Sequence, residues 1–328
     1  MPLLPFIIAS LGPAALLALG AIWGGLWAWA GLVTITVVVF MADRVPAART
    51  PSDISGDFLS VAVALAHFAL LVLGLIALAG PMPSVEKGAL FVGLSLWFGQ
   101  VSNSNAHELI HRPARPLRRL GVAVYASLLF GHHASAHPLV HHIHAATDQD
   151  PNSAPRGMGF WRYLMQAWTG SFIGGLRAEN RRHTGLSHPY LGYGFGALCT
   201  VMVAGAIGGL KGVVFLLAMA SYAQVQLFLS DYVQHYGLRR RILSTGKPEP
   251  IGPAHSWNAP HWASAAMMLN APRHSDHHMK PGRAFPALEL RDDMPTLPHS
   301  LPVMAVLALI PPLWRRVMDP RVARWTQP

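Results

Sequence analysis

Residues 3–41 read LLPFIIASLGPAALLALGAIWGGLWAWAGLVTITVVVFM, 39 consecutive positions without one charge. A membrane-crossing helix needs about 20 mostly apolar residues, so this stretch holds two spans, joined tightly around Gly20 to Gly25. A cleavable signal peptide is the rival reading. It is disfavoured because no Lys or Arg precedes the apolar run and the run is too long for one. The remaining chain follows the same pattern. Phe58 to Ala79 reads as a third span, interrupted only by His67, and Gly88 to Asn105 as a fourth, ending in Ser102-Asn103-Ser104-Asn105. Pro189 to Gly209 and Gly212 to Gln234 make a fifth and sixth, paired across the Gly209-Leu210-Lys211 turn.

Composition agrees with this reading. Charged residues are 12% of the chain against about 25% in soluble proteins, and hydrophobic residues are 52%. Cys199 is the only cysteine, which excludes an internal disulfide framework and any fused module built on CxxC pairs. The net charge of +10 comes from Arg clusters at particular span ends. Arg44 and Arg49 follow span two, Arg112 to Arg119 follow span four, Arg156 to Arg182 precede span five, and Arg239 to Arg241 follow span six. Six crossings put all of these on one face, which the positive-inside rule makes cytoplasmic, so nucleic acid is not required to explain the charge. Leu120 to Ala136 would break this pattern by crossing, and is expected to be re-entrant or in-plane. Leu301 to Leu313 is expected to be an interfacial helix. The expected fold class is therefore all-α, a polytopic membrane protein of about six transmembrane helices with a cytoplasmic His-rich region. As one membrane domain it divides into the first four spans (1–106), a His-box region (107–188), spans five and six (189–236) and a cytoplasmic C-terminal region (237–328).

Against this apolar background stand 18 His. His107-Glu-Leu-Ile-His111 presents two imidazoles one helical turn apart, on one face. His137-Pro-Leu-Val-His141-His142 repeats that spacing with one more His. His235 ends the sixth span, and His274-Ser-Asp-His277-His278 adds three. The six-span reading brings all four clusters to the same membrane face. Imidazole suits zinc, copper, iron and nickel. Nine His exceed one tetrahedral zinc and suit two metal centres with open positions. The HExxH string alone would suggest a zinc protease with Glu108 as base, but that leaves seven His of the other clusters unused. Soluble di-iron proteins use Glu-rich helices, which these clusters lack, so an all-His di-iron site is expected. A metal transporter would instead distribute His along the spans, where only His67 lies.

His107-Glu-Leu-Ile-His111, His137 through Asp150-Pro151, Asp231 to Leu238 with its His235-Tyr-Gly, and Arg273 to His278 together resemble the membrane alkane 1-monooxygenases of the fatty acid desaturase/hydroxylase superfamily. His255-Ser-Trp257-Asn258 is similar to that family as well. The resemblance covers Asn105 to Leu288. It implies two irons held by His107, His111, His137, His141, His142, His235, His274, His277 and His278. It also implies O₂-dependent hydroxylation of an unactivated C–H bond in an apolar substrate entering from the lipid, in a bacterial-type inner membrane. Because no rubredoxin is fused here, the two electrons would come from a separate rubredoxin or ferredoxin with its reductase. Departures at Ile110, Arg112, Ala136, Val140 and Gln234 spare every ligand but weaken the inference to a linear alkane. Arg112 also resembles the xylene-type methyl monooxygenases. An acyl desaturase of the same superfamily is the other enzyme reading.

The other polar residues receive quieter expectations. Glu108, Asp231, Asp276 and His255 are expected beside the metals, the carboxylates orienting ring N–H groups, with Asp148 and Asp150 as further candidates. His132 and His133 are expected as interfacial anchors, and His67 as a helix-to-helix hydrogen bond. His144 is expected beside the metals, and His183, His188 and His299 at the surface. Trp23, Trp27, Trp29, Trp97 and Phe98 are expected to face lipid or pack, with Gly93, Ser95 and Gly99 allowing close helix approach. An apolar channel among spans two to four is expected to lead to the metals.

Overall fold

The computed structural model describes residues 2–45 and 51–325. Arg49 lies outside the described residues. The described chain is helical, with only two isolated β-bridges and no strand.

The uncharged N-terminal stretch forms α1 (Leu4–Trp23) and α2 (Leu26–Ala42), an antiparallel pair. The turn between them works because Gly24 and Gly25 both take positive φ, 64° and 58°, which side chains with a Cβ resist. Gly20 lets the two backbones meet. A Cβ there would lie 2.9 Å from the Ala28 Cα. Next come α3 (Asp57–Ala79) and α4 (Ser84–Trp97). The latter runs through a π-helical turn, Phe98–Ser102, directly into α5 (Asn103–His111). α1, α3 and a later 47-residue helix are long and apolar enough to cross a membrane, while residues 26–42 form a shorter apolar helix.

α6 (Arg115–Ser127) covers the first part of Leu120 to Ala136. At 13 residues it is about 20 Å long, short of the roughly 30 Å core of a bilayer. It folds back along α5, and Leu129, at φ 57°, turns the chain into the next cluster. That cluster is α7 (His133–Ala136), followed by another π turn, His137–His141, and a last turn, His142–His144. α8 (Phe160–Asn180), an amphipathic helix of 21 residues that the sequence reading did not single out, packs against α7 and the π turn. α9 (Pro189–His235) is two helices merged across Gly209, at φ 56°, where the fifth and sixth segments were expected to join.

After α9 the chain covers the helix ends. α10 (Trp262–Met267) is capped by Asp43, at the end of α2, whose Oδ1 accepts from the N–H groups of Ala263 and Ser264, both at 2.9 Å. α11 (His274–Met279) carries the last His cluster. α12 (Leu301–Ala308) packs on α9, and α13 (Pro311–Trp325) buries Trp314 against Tyr232 and Tyr236. Arg112, leaving α5, pairs with Asp57 at the start of α3 (3.0 Å), so the ends of α2, α3, α5 and α9 meet in one region.

Several expectations about single residues resolve here. His67 bridges two helices, with its Nε2 and Nδ1 each 2.7 Å from a hydroxyl, of Ser127 and Ser102 respectively. Trp23, Trp27 and Trp29 are exposed, whereas Trp97 and Phe98 are fully buried and the Trp97 Nε1 donates to the Ser10 carbonyl. Gly93 and Gly99 are close-approach points, where a Cβ would lie 2.7 Å from Leu17 and Gln226.

Candidate metal centre

The four His clusters converge. His107, His111, His137, His142 and His277 form one group, and His141, His235, His274 and His278 a second. Within each, the nearest ring nitrogens all lie within 4.8 Å of one another. In the first group the Nε2 atoms of His107 and His137 are 2.7 Å apart, those of His137 and His142 2.9 Å, and those of His142 and His277 3.2 Å. In the second, His235 and His274 approach to 2.9 Å, and His278 lies 3.1–3.2 Å from both.

The groups cut across the sequence clusters. His107 and His111 stay together, as an α-helical pair should. His137 and His141 do not. Around them the helix widens to a π turn, closed by the His142 N–H donating to the His137 carbonyl five residues back. That pitch stacks His137 over His142 and sends His141 to the other group. Pro138 supplies a reason, since it has no N–H for the α-helical bond and its ring crowds the preceding turn. On α11, His274 and His278 share a face, and His277 turns to the first group.

The chemistry of this donor set fits metal ions. Nitrogens facing one another at such distances can share only some protons, because a neutral imidazole carries one N–H. Buried lone pairs left facing each other are costly. The His141 Nε2 is buried and has no hydrogen-bond partner among the described residues. Burial, assisted by the neighbouring rings, holds His107, His137, His142 and His277 well below their ordinary pKa, and His111 down at about 4. The same effect takes His274 to about 3 and His278 well down. Neutral imidazole is the form that binds metal.

His141 differs. Burial pushes its pKa down, but the Asp150 carboxylate 2.8 Å from its Nδ1 outweighs this and raises it. Asp150 is itself held by the Ser153 hydroxyl (2.6 Å) and the Asn152 N–H (3.1 Å). The Asn152 amide donates to Asp231 (2.7 Å).

The four residues expected beside the rings take other partners. Glu108 pairs with Arg112 (3.3 Å) and accepts from the Phe285 N–H (3.3 Å), and burial raises its pKa to about 7 against the pull of Arg112. Asp231 binds Asn152, and Asp276 accepts from Arg283 (2.8 Å) and the Glu289 N–H (3.0 Å). His255 faces Glu249 (3.2 Å). Each carboxylate finds a nearer cation or amide, whereas Asp150, grouped with Asp148 as a further candidate, reaches a ring. Asp148 is exposed beside Arg239. His133, expected as an interfacial anchor, is buried with its ring 5.1 Å from that of His137. Trp257 and Asn258, known from sequence only by resemblance, acquire a task. Asn258 accepts from the Ser275 N–H (2.9 Å) and donates to its hydroxyl (2.8 Å), fixing the start of α11.

A cavity reaches both groups, touching His107 of the first and His274 of the second. It lies between the π turn of residues 98–102, α5, α9 and α12, rather than among spans two to four as expected. Gly99 and Gln226 both line it, and the two meet so closely there that a Cβ on Gly99 would lie 2.7 Å from Gln226.

Apolar helices joined at their ends to two His groups that could hold metal define a class of helical, membrane-type protein. Residues 85–306 match the fatty acid desaturase family, and the chain belongs to it. Within it the chain belongs with the alkane 1-monooxygenases. It is 32% identical to alkane 1-monooxygenase 2 of Pseudomonas aeruginosa over 77% of this chain and 71% of that one. It is also 32% identical to alkane 1-monooxygenase 2 of Alcanivorax borkumensis over 68% of this chain, a match that spans only 60% of the relative. The hydroxylase component of the Pseudomonas putida xylene/toluene monooxygenase matches at 27% over 94% of this chain and 86% of its own length.

Proposed function

We propose that this protein is a membrane di-iron monooxygenase that hydroxylates an unactivated C–H bond of an apolar substrate with O₂. The carrying observation is the convergence of nine imidazoles into two groups that share one cavity. All nine would be iron ligands. His107, His111, His137, His142 and His277 would hold one ion, and His141, His235, His274 and His278 the other. Imidazole donors suit iron, and relatives named as monooxygenases favour it over zinc. Bound iron would supply the activation of O₂. The chain's own residues hold the rings, exclude water and orient the substrate. Asp150 keeps the His141 Nε2 aimed at its group, Asn258 anchors α11, and the cavity leads the substrate in beside His107 and His274.

In this reading six segments cross a bacterial inner membrane, within the four-part organisation expected from sequence, and the His groups lie on its cytoplasmic side. The Arg clusters support that orientation. They also offer a docking face for an acidic electron carrier, a rubredoxin or ferredoxin. Metal analysis of the purified protein tests the core claim. About two irons per chain are expected, and stoichiometric zinc without iron overturns it. The family match also supports a second reading, desaturation of an acyl chain. Isotopically labelled O₂ separates the two, since hydroxylation puts the label in an alcohol and desaturation gives an unlabelled alkene.

A further inference from the structure

The cavity beside the two His groups has an amphipathic wall. Leu227, Met268, Leu301 and Ala305 give it apolar sides. Polar side chains also line it, and most of these are committed within the protein. The Asn103 amide donates to the Ala223 carbonyl (2.8 Å), and the Ser104 hydroxyl to the Gln100 carbonyl (2.7 Å). The Ser230 hydroxyl donates to Gln234 (2.9 Å), whose own amide donates to the Ala271 carbonyl (3.1 Å).

Two amides are uncommitted. The Gln100 Oε1 is buried with no partner, and among the described residues the Gln226 side chain makes no hydrogen bond. The two belong to facing elements, the π turn and α9, at the place where Gly99 lets them touch. Both lie inside segments read as membrane spans. An unsatisfied amide there costs free energy and marks a site of use. Gln100 precedes His107 by seven residues and Gln226 precedes His235 by nine. At the helical rise, the amides lie about 10–13 Å from the His groups along their helices.

We propose that the preferred substrate is a neutral, oxygen-bearing hydrocarbon, with a hydroxyl or carbonyl at one end bound by Gln100 and Gln226 and the C–H to be oxidised at the other. An amide both donates and accepts, so it suits a neutral hydroxyl or carbonyl. No Lys or Arg lines the cavity and Asp231 does, which sets it against a carboxylate. The inference rests on the monooxygenase reading above. The reaction breaks the distal C–H bond, inserts one atom of O₂ and releases the other as water. Two electrons come from the carrier and two protons from solvent.

The test is displacement of radiolabelled n-decanol from the full-length protein in membranes, with unlabelled n-decanol, n-decane and decanoate as competitors. n-Decanol is expected to compete best and decanoate worst. Gln226→Leu and Gln100→Leu are each expected to reduce the preference for n-decanol over n-decane about tenfold, the worth of one buried hydrogen bond. Either substitution alone carries the test if the other does not accumulate. Equal competition by n-decane, or a preference untouched by substitution, overturns this inference alone. Turnover in the same membranes separates the two failures. If none of the three compounds is oxidised with the metals loaded and electrons supplied, the monooxygenase reading fails with it.

Discussion

The two His groups differ in how they are enclosed. His141, His235, His274 and His278 are all buried, and one of them is oriented by a carboxylate, Asp150, at the head of a small hydrogen-bond network. In the five-membered group, His107, His111 and His142 are only half-buried, and Glu108, on the same helix as His107 and His111, faces Arg112. The first arrangement is held by polar contacts behind the ligands. The second relies on a fifth imidazole and on the helices themselves. Two His groups that could hold metal, with different surroundings, are therefore built from one interleaved set of residues.

Removing a ligand tests that difference most severely. His278→Ala leaves three imidazoles in the buried group. Iron is expected to fall from about two to about one per chain, and turnover by more than the 10–100-fold that contacts behind a ligand are worth. His111→Ala leaves four in its group, and more iron is expected to survive than in His278→Ala. Elemental analysis and product formation check both, and equal losses would erase the contrast. Asp150→Asn comes next. It is expected to weaken metal retention in the buried group by about 10–100-fold while sparing the other, read as one iron becoming chelator-labile. A structural test follows. Gly99→Ala drives a Cβ to 2.7 Å from the Gln226 Cβ, with an expected loss of about 1–3 kcal/mol seen as a lowered unfolding temperature. The smallest effect is expected from His67→Phe, whose ring belongs to neither group and bonds to Ser102 and Ser127. It strands the Ser102 hydroxyl, while the Ser127 hydroxyl keeps the Val124 carbonyl, at a cost of about 1 kcal/mol, and should leave the iron count unchanged.

Much of the scaffold was legible because membrane physics writes it in composition. The uncharged run of residues 3–41, the glycines at its turn and the Gly209 break all lie where the sequence put them. The nine His were legible as a set because so many imidazoles in so apolar a chain have no structural use. Asp150 was less so, since its claim depends on Ser153 and Asn152 turning it toward His141. Glu108 and Asp276, more prominent inside the boxes, are held away by Arg112 and Arg283. The amphipathic α8 carries neither the length of continuous apolar sequence nor the His that draw attention.

The sequence by itself determined the apolar character of the scaffold, the approximate bounds of its apolar helices and the imidazoles available to bind metal. Those follow from hydropathy and residue chemistry, which are local. Which imidazole joins which group was decided only by tertiary structure. The i,i+4 spacing of His137 and His141 promises one shared face, but a π turn rotates His141 away and pairs His137 with His142 instead. The cavity was likewise decided there, because its walls come from the wide turn of one helix and from α5, α9 and α12, which only packing brings together. A helix's pitch and its neighbours are set by packing across the whole bundle, and no single segment encodes them.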